Sequence, residues 1–474
     1  MTTRRDWLRT TGCGFGTLAL ADLLSREASA APENPLAPRP PQFPAKVKRV
    51  IFLFMQGGVS QVDSFDYKPL LEREDGKTMP FDDARILANT GMRRSSQRVM
   101  KSPWKFQKHG ETGHWGSELF PAINGQMDKL CFIHSMVTEG VAHGPATLFL
   151  HCGAANSIRP SMGSWVLYGL GTENANLPGF VSICPSTGNG GARNYGNAFL
   201  PAIYQGTALG KAGAPATEAT IRNLGNPALA AEDRRRQFDL LRALNDEQIH
   251  QHAPRGGDTE LEAVIASYEL AWRMQNHAPD VLDLRGETKE TLALYGLDRP
   301  ETTDFGRQCL LARRMCEAGV RFIQVTYGDG TANPAWDQHS NLPKHAVHAR
   351  AVDQPIAALL IDLERRGLLD DTLVWWGSEF GRTPYAEKNG TGRDHDPGGF
   401  TVWLAGGGVK PGFAFGATDD FGFQAVADKV HMHDLHATIL WLLGLDHEKL
   451  TYRYNGRAFR LTDVHGRIVN EILA

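Results

Sequence analysis

Short apolar runs that alternate with helix-patterned segments constrain the fold of this chain more than any other feature. Six runs rich in β-branched and aromatic residues predict buried strands over residues 47–55, 130–136, 180–183, 321–327, 372–376 and 400–404. Between such runs apolar residues recur every three or four positions, as over residues 344–366. Strands that alternate with helices build βα units, whose sheet is mostly parallel and covered on both faces. The sequence therefore predicts an α/β fold, a three-layer α/β/α sandwich around a mostly parallel central sheet.

Residues 228–296 depart from this alternation. They are almost entirely helix-forming and heavily charged, and they contain no strand pattern. We interpret them as a helical insertion in a single domain that spans residues 47–474. A proline-rich segment over residues 31–46 precedes that domain and is predicted to be a linker.

Residues 1–30 have the features of an export signal. Arg4 and Arg5 form a basic pair, a mildly apolar stretch follows over residues 11–24, and Ala28-Ser29-Ala30 has the small residues of a cleavage site. A basic amphipathic helix is the alternative interpretation. The order of the three features favours a twin-arginine signal peptide over residues 1–30, and therefore a periplasmic or secreted protein.

The charge balance limits the classes of partner. With 50 Lys and Arg against 53 Asp and Glu, the net charge is −3, which supplies no basic field for nucleic acid. After residue 30 no stretch approaches the ~18 uninterrupted apolar residues of a membrane-spanning helix. We therefore expect no nucleic-acid partner and no transmembrane segment in the mature chain, and favour a small-molecule or glycan substrate.

Polar side chains follow several of the predicted strands. Gln56 and two glycines come after the first run, Asp337 and His339 after the run that ends at 327, and Glu379 after the run that ends at 376. Asp394 and His395 precede the last run. Ligands of open parallel sheets bind outside the carboxyl ends of the strands. These residues are therefore the first candidates for a functional site.

Carboxylates and imidazoles delivered by separate strand ends are suited to a divalent metal. The candidate ligands are Asp337, His339, Glu379, Asp394 and His395. This mixed oxygen and nitrogen set suits Zn²⁺, Mn²⁺, Mg²⁺ or Ca²⁺, and the absence of a thiolate argues against a structural zinc site. The alternative for a single Asp-x-His pair is a helix cap or a surface pair.

Three further side chains have two interpretations each, and two histidines have one. Arg382 and Arg393 lie on glycine-flanked segments, where they could hold a sulfate or phosphate in a bidentate fork or form salt bridges to nearby carboxylates. His143 could act in catalysis or be a satisfied helix-terminal histidine. His345, like His348, lies on a long charged helix pattern and is expected to be solvated.

Several motifs resemble those of the alkaline phosphatase superfamily, which includes the sulfatases. The resemblance covers roughly residues 47–183 and 320–450, and in particular residues 397–412 and the helix start at His433-Asp434-Leu435. More closely, the chain resembles a bacterial family of sulfatase-like, twin-arginine-exported proteins. The matching motifs are Gly57-Gly58-x-Ser60-Gln61-x-Asp63, Ser378-Glu379-Phe380-Gly381-Arg382-Thr383-Pro384, Gly392-Arg393-Asp394-His395 and Gly456-Arg457-Ala458-Phe459-Arg460.

The resemblance implies an alkaline-phosphatase-like sandwich with a divalent metal that hydrolyses sulfate or phosphate esters. The sequence departs from that pattern at the metal-binding Asp, which is Gln56 here, and at the nucleophile, where His143 or Gly144 stands and Thr147 follows one turn later. Two functions remain. One is an exported metal-dependent hydrolase in which His143, Thr147, Arg382 and Arg393 take catalytic roles; the other is a non-catalytic relative that binds a metal and an anionic glycan or partner protein.

Overall fold

The computed structural model describes residues 35–82, 94–221, 229–252, 259–387 and 390–474. The predicted signal peptide over residues 1–30 lies outside the described residues. The helices, numbered in chain order, are α1 (Gln61–Ser64), α2 (Pro69–Arg73), α3 (Pro121–Asn124), α4 (His143–Cys152), α5 (Met162–Leu170), α6 (Ala231–His252), α7 (Thr259–Leu282), α8 (Lys289–Leu294), α9 (Thr303–Glu317), α10 (His345–Arg365) and α11 (Met432–Leu442).

The strands are numbered in the same way. They are β1 (Arg49–Met55), β2 (Thr78–Asp82), β3 (Arg94–Val99), β4 (Phe106–His109), β5 (His114–Ser117), β6 (Leu130–Val137), β7 (Phe180–Ile183), β8 (Thr207–Leu209), β9 (Phe322–Tyr327), β10 (Thr372–Gly377), β11 (Gly381–Ala386), β12 (Arg393–Asp396), β13 (Phe400–Gly406), β14 (Phe413–Phe415), β15 (Ala417–Thr418), β16 (Ala425–Ala427), β17 (Val430–His431), β18 (Tyr452–Tyr454) and β19 (Arg457–Phe459). All six predicted strands are present, as β1, β6, β7, β9, β10 and β13.

The central sheet has nine strands. Its order is β14-β6-β13-β10-β1-β9-β7-β8, and β17 also pairs with β6. Strand β1 runs parallel to both of its neighbours, β10 and β9, and β13 is antiparallel to β10 and to β6. The mostly parallel sheet expected from the sequence is confirmed.

Side chains of β1 alternate between two hydrophobic cores. Ile51 and Leu53 pack in the core that contains α9 and α10. Phe52 and Phe54 pack in the opposite core, with residues of α4, α5 and α11. Because successive side chains of a strand point to opposite faces, a strand buried on both sides is apolar throughout, as β1 is. The predicted three-layer sandwich is therefore confirmed.

A second, smaller sheet carries part of the predicted site. Its order is β12-β11-β3-β2, and in the antiparallel β11–β12 pair Arg382 is the partner of His395. Strand β11 begins four residues after β10 ends, so the small sheet starts at the carboxyl end of a central strand. This arrangement brings residues far apart in sequence to one edge of the main sheet.

The segments flanking the sandwich also have defined places. Between residues 229 and 296 the described residues form α6, α7 and α8 and contain no strand. The described part of the proline-rich segment lies on the domain, since Arg39 N donates to Leu170 O at 2.9 Å and Lys46 N to Leu442 O at 2.8 Å. Among the described residues, no helix combines the length and apolar character needed to cross a bilayer.

The expectation that His345 and His348 are solvated is wrong for His345. Its side chain is 0% exposed, and its ring packs edge-on against Trp336 at 5.0 Å. His348 is half-buried, with Nδ1 2.9 Å from the Tyr327 hydroxyl. The chain after β9 folds back over the first turns of α10. The periodicity of a helix shows which residues share a face, but it does not show whether another segment covers that face.

Because of two buried histidines, we expect the folded protein to lose stability at acidic pH. Burial lowers the pKa of His151 in α4 to about 4 and that of His436 in α11 to about 3, whereas an unfolded histidine titrates near 6.5. Below pH ~6.5 each of these two histidines therefore binds a proton in the unfolded chain but not in the folded chain. The free energy of unfolding should fall by up to ~1.4 kcal/mol per pH unit for each histidine.

Urea unfolding at pH 7 and pH 5 measures this effect. His436→Asn should remove about 2 kcal/mol of the loss between the two pH values. His277→Asn, at an exposed histidine of α7, should keep the full loss. An unchanged pH dependence in His436→Asn would show that His436 is protonated in the folded protein.

Candidate metal centre

Four chain segments meet at the carboxyl end of the central strands. Asp337 and His339 lie in the segment after β9, and Glu379 lies in the segment after β10. His143 is the first residue of α4, and His395 lies in β12. The structure thus brings together residues that are up to 252 positions apart in the chain, from 143 to 395.

Three imidazole nitrogens converge on one carboxylate oxygen. Asp337 Oδ1 lies 2.9 Å from His339 Nε2, 3.2 Å from His143 Nε2 and 3.3 Å from His395 Nε2. The Nε2 atoms of His339 and His395 are 3.0 Å apart. All four potential ligand atoms lie within 4.8 Å of one another. Donors about 2.0–2.1 Å from one tetrahedral cation are roughly 3.3 Å apart, which matches these separations.

The second nitrogen of each histidine is held by an acceptor. His143 Nδ1 lies 2.6 Å from Glu379 Oε1, His339 Nδ1 lies 2.5 Å from Glu387 Oε2, and His395 Nδ1 lies 2.9 Å from the Val141 carbonyl. A carbonyl or a carboxylate accepts a hydrogen bond, so each Nδ1 carries the hydrogen. The lone pair is then on Nε2, which faces the cluster in all three cases.

His143 provides an independent test of whether a cation fits. Its Nε2 atom is buried and has no hydrogen-bond partner among the described residues, although Asp337 Oδ1 lies 3.2 Å away. A buried polar atom without a partner costs free energy. A divalent cation among the three Nε2 atoms would satisfy it, so the donor set fits a metal.

Asp337 and His395 have protonation states that suit metal binding, whereas a cation would displace a proton from His143: burial lowers the pKa of His143, but Asp337 and Glu379 outweigh burial and raise that pKa above its ordinary value. Burial alone would raise the pKa of Asp337, but His143, His339 and His395 around its carboxylate hold that pKa well below its usual range. Burial lowers the pKa of His395, despite the opposing effect of Asp337. An ionised carboxylate and neutral imidazoles are the forms that bind metals.

A glycine turn after β1 lets these segments approach one another. Gly57 has φ +118°, and a Cβ atom there would lie 2.7 Å from the backbone nitrogen of Asp337. Its N–H donates to both Glu379 oxygens at 3.0 Å. The two glycines noted in the sequence therefore serve close backbone packing and orient Glu379.

Glu379 and Asp394, both predicted as ligands, occupy different places from the converging atoms. Glu379 is 0% exposed and lies behind His143, where it also accepts a hydrogen bond from Ser378 Oγ at 2.8 Å. Asp394 Oδ1 lies 3.7 Å from His339 Nδ1 and accepts the His395 N–H at 2.7 Å. With Glu387 and His339 it forms a second group of potential ligands.

Arg382 and Arg393 are both 0% exposed. Arg382 Nη2 donates to Asp337 Oδ1 at 2.7 Å, and its other nitrogens donate to the carbonyls of Gly58 at 2.9 Å and Arg393 at 3.0 Å. Arg393 forms a bidentate pair with Asp63, at 2.7 and 3.1 Å. In this arrangement both guanidinium groups hold the loops of the site together.

Thr147 lies one helical turn after His143 in α4. Its side chain is 0% exposed, and its hydroxyl has no hydrogen-bond partner among the described residues. Its carbonyl oxygen lies 2.8 Å from His151 Nδ1. The cluster of converging donors contains His143 rather than Thr147.

Sequence reasoning missed Glu387, the partner of His339. It lies in the segment between β11 and β12 and belongs to none of the motifs that identified the other residues. An acidic residue on a loop flanked by two candidate segments was the available signal. With His339 25% exposed and Glu387 31% exposed, these side chains form the solvent-facing side of the cluster.

Comparison of the structure with solved structures returns proteins of low sequence identity and low TM-score. The lipoteichoic acid synthase LtaP from Listeria monocytogenes is 9% identical, with 90% of this chain and 78% of that chain covered and a TM-score of 0.36. The PsFucS1 sulfatase from Pseudoalteromonas sp. is 11% identical, with coverages of 91% and 72% and a TM-score of 0.35. A protein in the alkaline phosphatase superfamily from Vibrio parahaemolyticus is 10% identical, with coverages of 87% and 70% and a TM-score of 0.34.

Comparisons of the sequence itself give one assignment. No curated protein matches the sequence significantly. One family profile matches residues 47–473, which includes every strand of the central sheet and all the residues of the converging cluster. The chain belongs to the family described as "Protein of unknown function (DUF1501)".

Proposed function

We propose that this protein binds one divalent metal through His143, His339, His395 and Asp337 and hydrolyses sulfate or phosphate esters. The convergence of three Nε2 atoms on Asp337 Oδ1 carries the metal assignment. Three imidazoles and one carboxylate favour Zn²⁺ or Mn²⁺ over Ca²⁺ and Mg²⁺, which take mainly oxygen ligands. The choice of ester substrates rests on the resemblance of the motifs to the sulfatases.

The residues around the cluster have separable roles in such a reaction. A bound divalent cation supplies Lewis acidity toward an ester oxygen and an attacking water. Glu379 fixes the ring of His143, Glu387 fixes that of His339, and Arg382 holds the Asp337 carboxylate in place. Substrate approaches from the side of His339 and Glu387, where the cluster is exposed.

A non-catalytic metal protein is the second candidate, and one observation favours it. Four protein donors close a tetrahedral shell, whereas catalytic zinc sites usually keep three protein ligands and one open position. A five- or six-coordinate cation such as Mn²⁺ would leave room for substrate beside the same four donors. The coordination number of the bound metal therefore separates the two functions.

Metal analysis combined with an activity screen tests the proposal. The purified protein, stripped with a chelator and reloaded with Zn²⁺ or Mn²⁺, should hold nearer one metal per chain than two and hydrolyse aryl sulfates or aryl phosphates. Asp337→Asn should lose that turnover, while His277→Asn, at the exposed α7 position, should retain it. Absence of stoichiometric metal would refute the site; metal without turnover would establish the non-catalytic function.

Export is a separate part of the proposal. The Arg4-Arg5 pair, the apolar stretch and Ala28-Ser29-Ala30 support cleavage after residue 30. N-terminal sequencing of protein recovered outside the cytoplasm should begin near Ala31, and Arg4→Lys with Arg5→Lys should leave the precursor inside. Recovery of exported chains that begin at Met1 or Thr2 would contradict a cleaved signal.

A further inference from the structure

A cleft of about 430 Å³ lies beside α10, and none of its lining residues belongs to the converging cluster. One wall is a single face of α10, with Ala346, Arg350 and Asp353, and the other walls come from residues 118–121 and 299–302. Gln354 of α10 and Trp104 complete the lining. Its volume falls in the range of small-molecule sites. We propose that this cleft binds a neutral sugar unit, a binding function separate from the metal centre and beyond the proposed hydrolysis.

Trp104 supplies a flat apolar surface. The half-buried indole is stacked on one side against the ring of His345, with centroids 6.3 Å apart and an interplanar angle of 24°. His345 in turn packs against Trp336, the neighbour of Asp337. The indole is therefore fixed from behind while it lines the cleft, as a platform for the C–H face of a sugar ring requires.

Three charged side chains in the lining are free to bind a ligand. The exposed side chains of Arg350, Glu118 and Glu301 have no hydrogen bond or ion pair within the described part of the chain. A guanidinium presents a fork of donors, and a carboxylate presents two acceptor oxygens. Adjacent hydroxyl groups of a sugar accept hydrogen bonds from the guanidinium and donate hydrogen bonds to the carboxylate.

The other polar groups of the lining are already engaged and set the shape of the cleft. The two Asp353 oxygens accept the N–H groups of Ala122 and Ile123, both at 2.8 Å. The Thr302 hydroxyl donates to a carbonyl at 2.6 Å, and the Gln354 amide donates to two carbonyls at 3.0 and 3.1 Å. These hydrogen bonds hold the wall of the cleft in place, and the free side chains of Arg350, Glu118 and Glu301 extend from it.

The charge of the lining selects among ligands. Three carboxylates, on Glu118, Glu301 and Asp353, face two guanidiniums, on Arg299 and Arg350. An anionic ligand would meet a net negative lining, and an apolar ligand would leave the free charges without partners. A neutral polyhydroxylated ring engages donors and acceptors together.

Titration with neutral hexose disaccharides and tetrasaccharides, followed by ligand-observed NMR and calorimetry, tests the proposal. The wild-type protein should bind at least one of these probes and bind the corresponding uronic acid oligomers more weakly. Arg350→Ala, at an exposed and unpaired position, should weaken binding about tenfold. Arg365→Ala, at an exposed position near the end of the same helix, is the matched control and should bind as wild type.

Two further measurements make the outcome decisive. Trp104→Leu should also weaken binding. The circular dichroism spectrum of this variant will show whether its fold is kept. If the fold is lost, the conclusion rests on Arg350→Ala. Chelator treatment should leave sugar binding unchanged, since the cleft shares no residue with the cluster. Failure of every neutral probe to bind, or equal binding by Arg350→Ala, would overturn the proposal whatever the result of the metal analysis.

Discussion

Replacing His395 by alanine is expected to remove most of the bound metal. The change deletes one of the four converging donors, the Nε2 atom that lies next to His339 Nε2 and Asp337 Oδ1. Loss of an outer hydrogen-bond partner of a metal ligand typically costs 10–100-fold in metal affinity, and loss of a ligand itself should cost more. Elemental analysis after dialysis against a metal buffer measures the effect.

Two comparison variants show whether the loss is specific. Glu379→Gln removes the acceptor charge behind His143 but keeps the volume, and should weaken metal binding by roughly 10–100-fold. His277→Ala removes an exposed histidine of α7 and should leave the metal content at the wild-type level. Wild-type metal content in His395→Ala would show that the cation is held elsewhere.

Asp63→Ala is expected to destabilise the protein by about 3–5 kcal/mol, because it leaves the Arg393 guanidinium buried without its counter-charge. Asp63 and Arg393 are both 0% exposed, and their bidentate contact ties α1 to β12. Urea unfolding at constant pH measures the change. The same variant distinguishes the two interpretations of Arg393, since an arginine kept for an anionic substrate would not depend on Asp63 for stability.

Matched variants isolate the buried charge as the cause. Asp63→Ala combined with Arg393→Met removes both charges and should recover a large part of the lost stability. Asp239→Ala breaks an exposed pair with Arg235, whose side chains are 51% and 45% exposed, and should change stability by less than about 1 kcal/mol. A small effect of Asp63→Ala would instead indicate that solvent reaches Arg393.

His143 illustrates the limit of assigning a function from a local sequence pattern. Its position at the start of a helix, where the sulfatase pattern places a nucleophile, led to a catalytic interpretation. In the structure its Nδ1 is held by Glu379, 236 positions away in the chain, and its Nε2 faces Asp337. The pairing of a histidine nitrogen with a distant carboxylate has no sequence signature, because it depends on how α4 meets the segment after β10.

Periodicity and residue type determined the strands, the layers and the edge of the sheet where the candidate site lies. Apolar runs such as β1 and β10 must be buried on both faces, so a parallel sheet covered by helices follows from the sequence itself. Asp337, His339 and His395 were also identifiable, since metal-binding residue types follow or precede those runs.

Tertiary structure alone decided which of these side chains converge. Donor atoms from the loop after β9, the start of α4 and strand β12 lie within 4.8 Å of one another, which adds His143 to the cluster, and Glu379 lies behind it. It also decided that Arg382 and Arg393 are buried among carbonyls and carboxylates rather than open to solvent. The physical reason is that the two-residue period of a strand fixes the face on which each side chain lies. Contacts between loops instead depend on where the fold places segments that are hundreds of residues apart in the sequence.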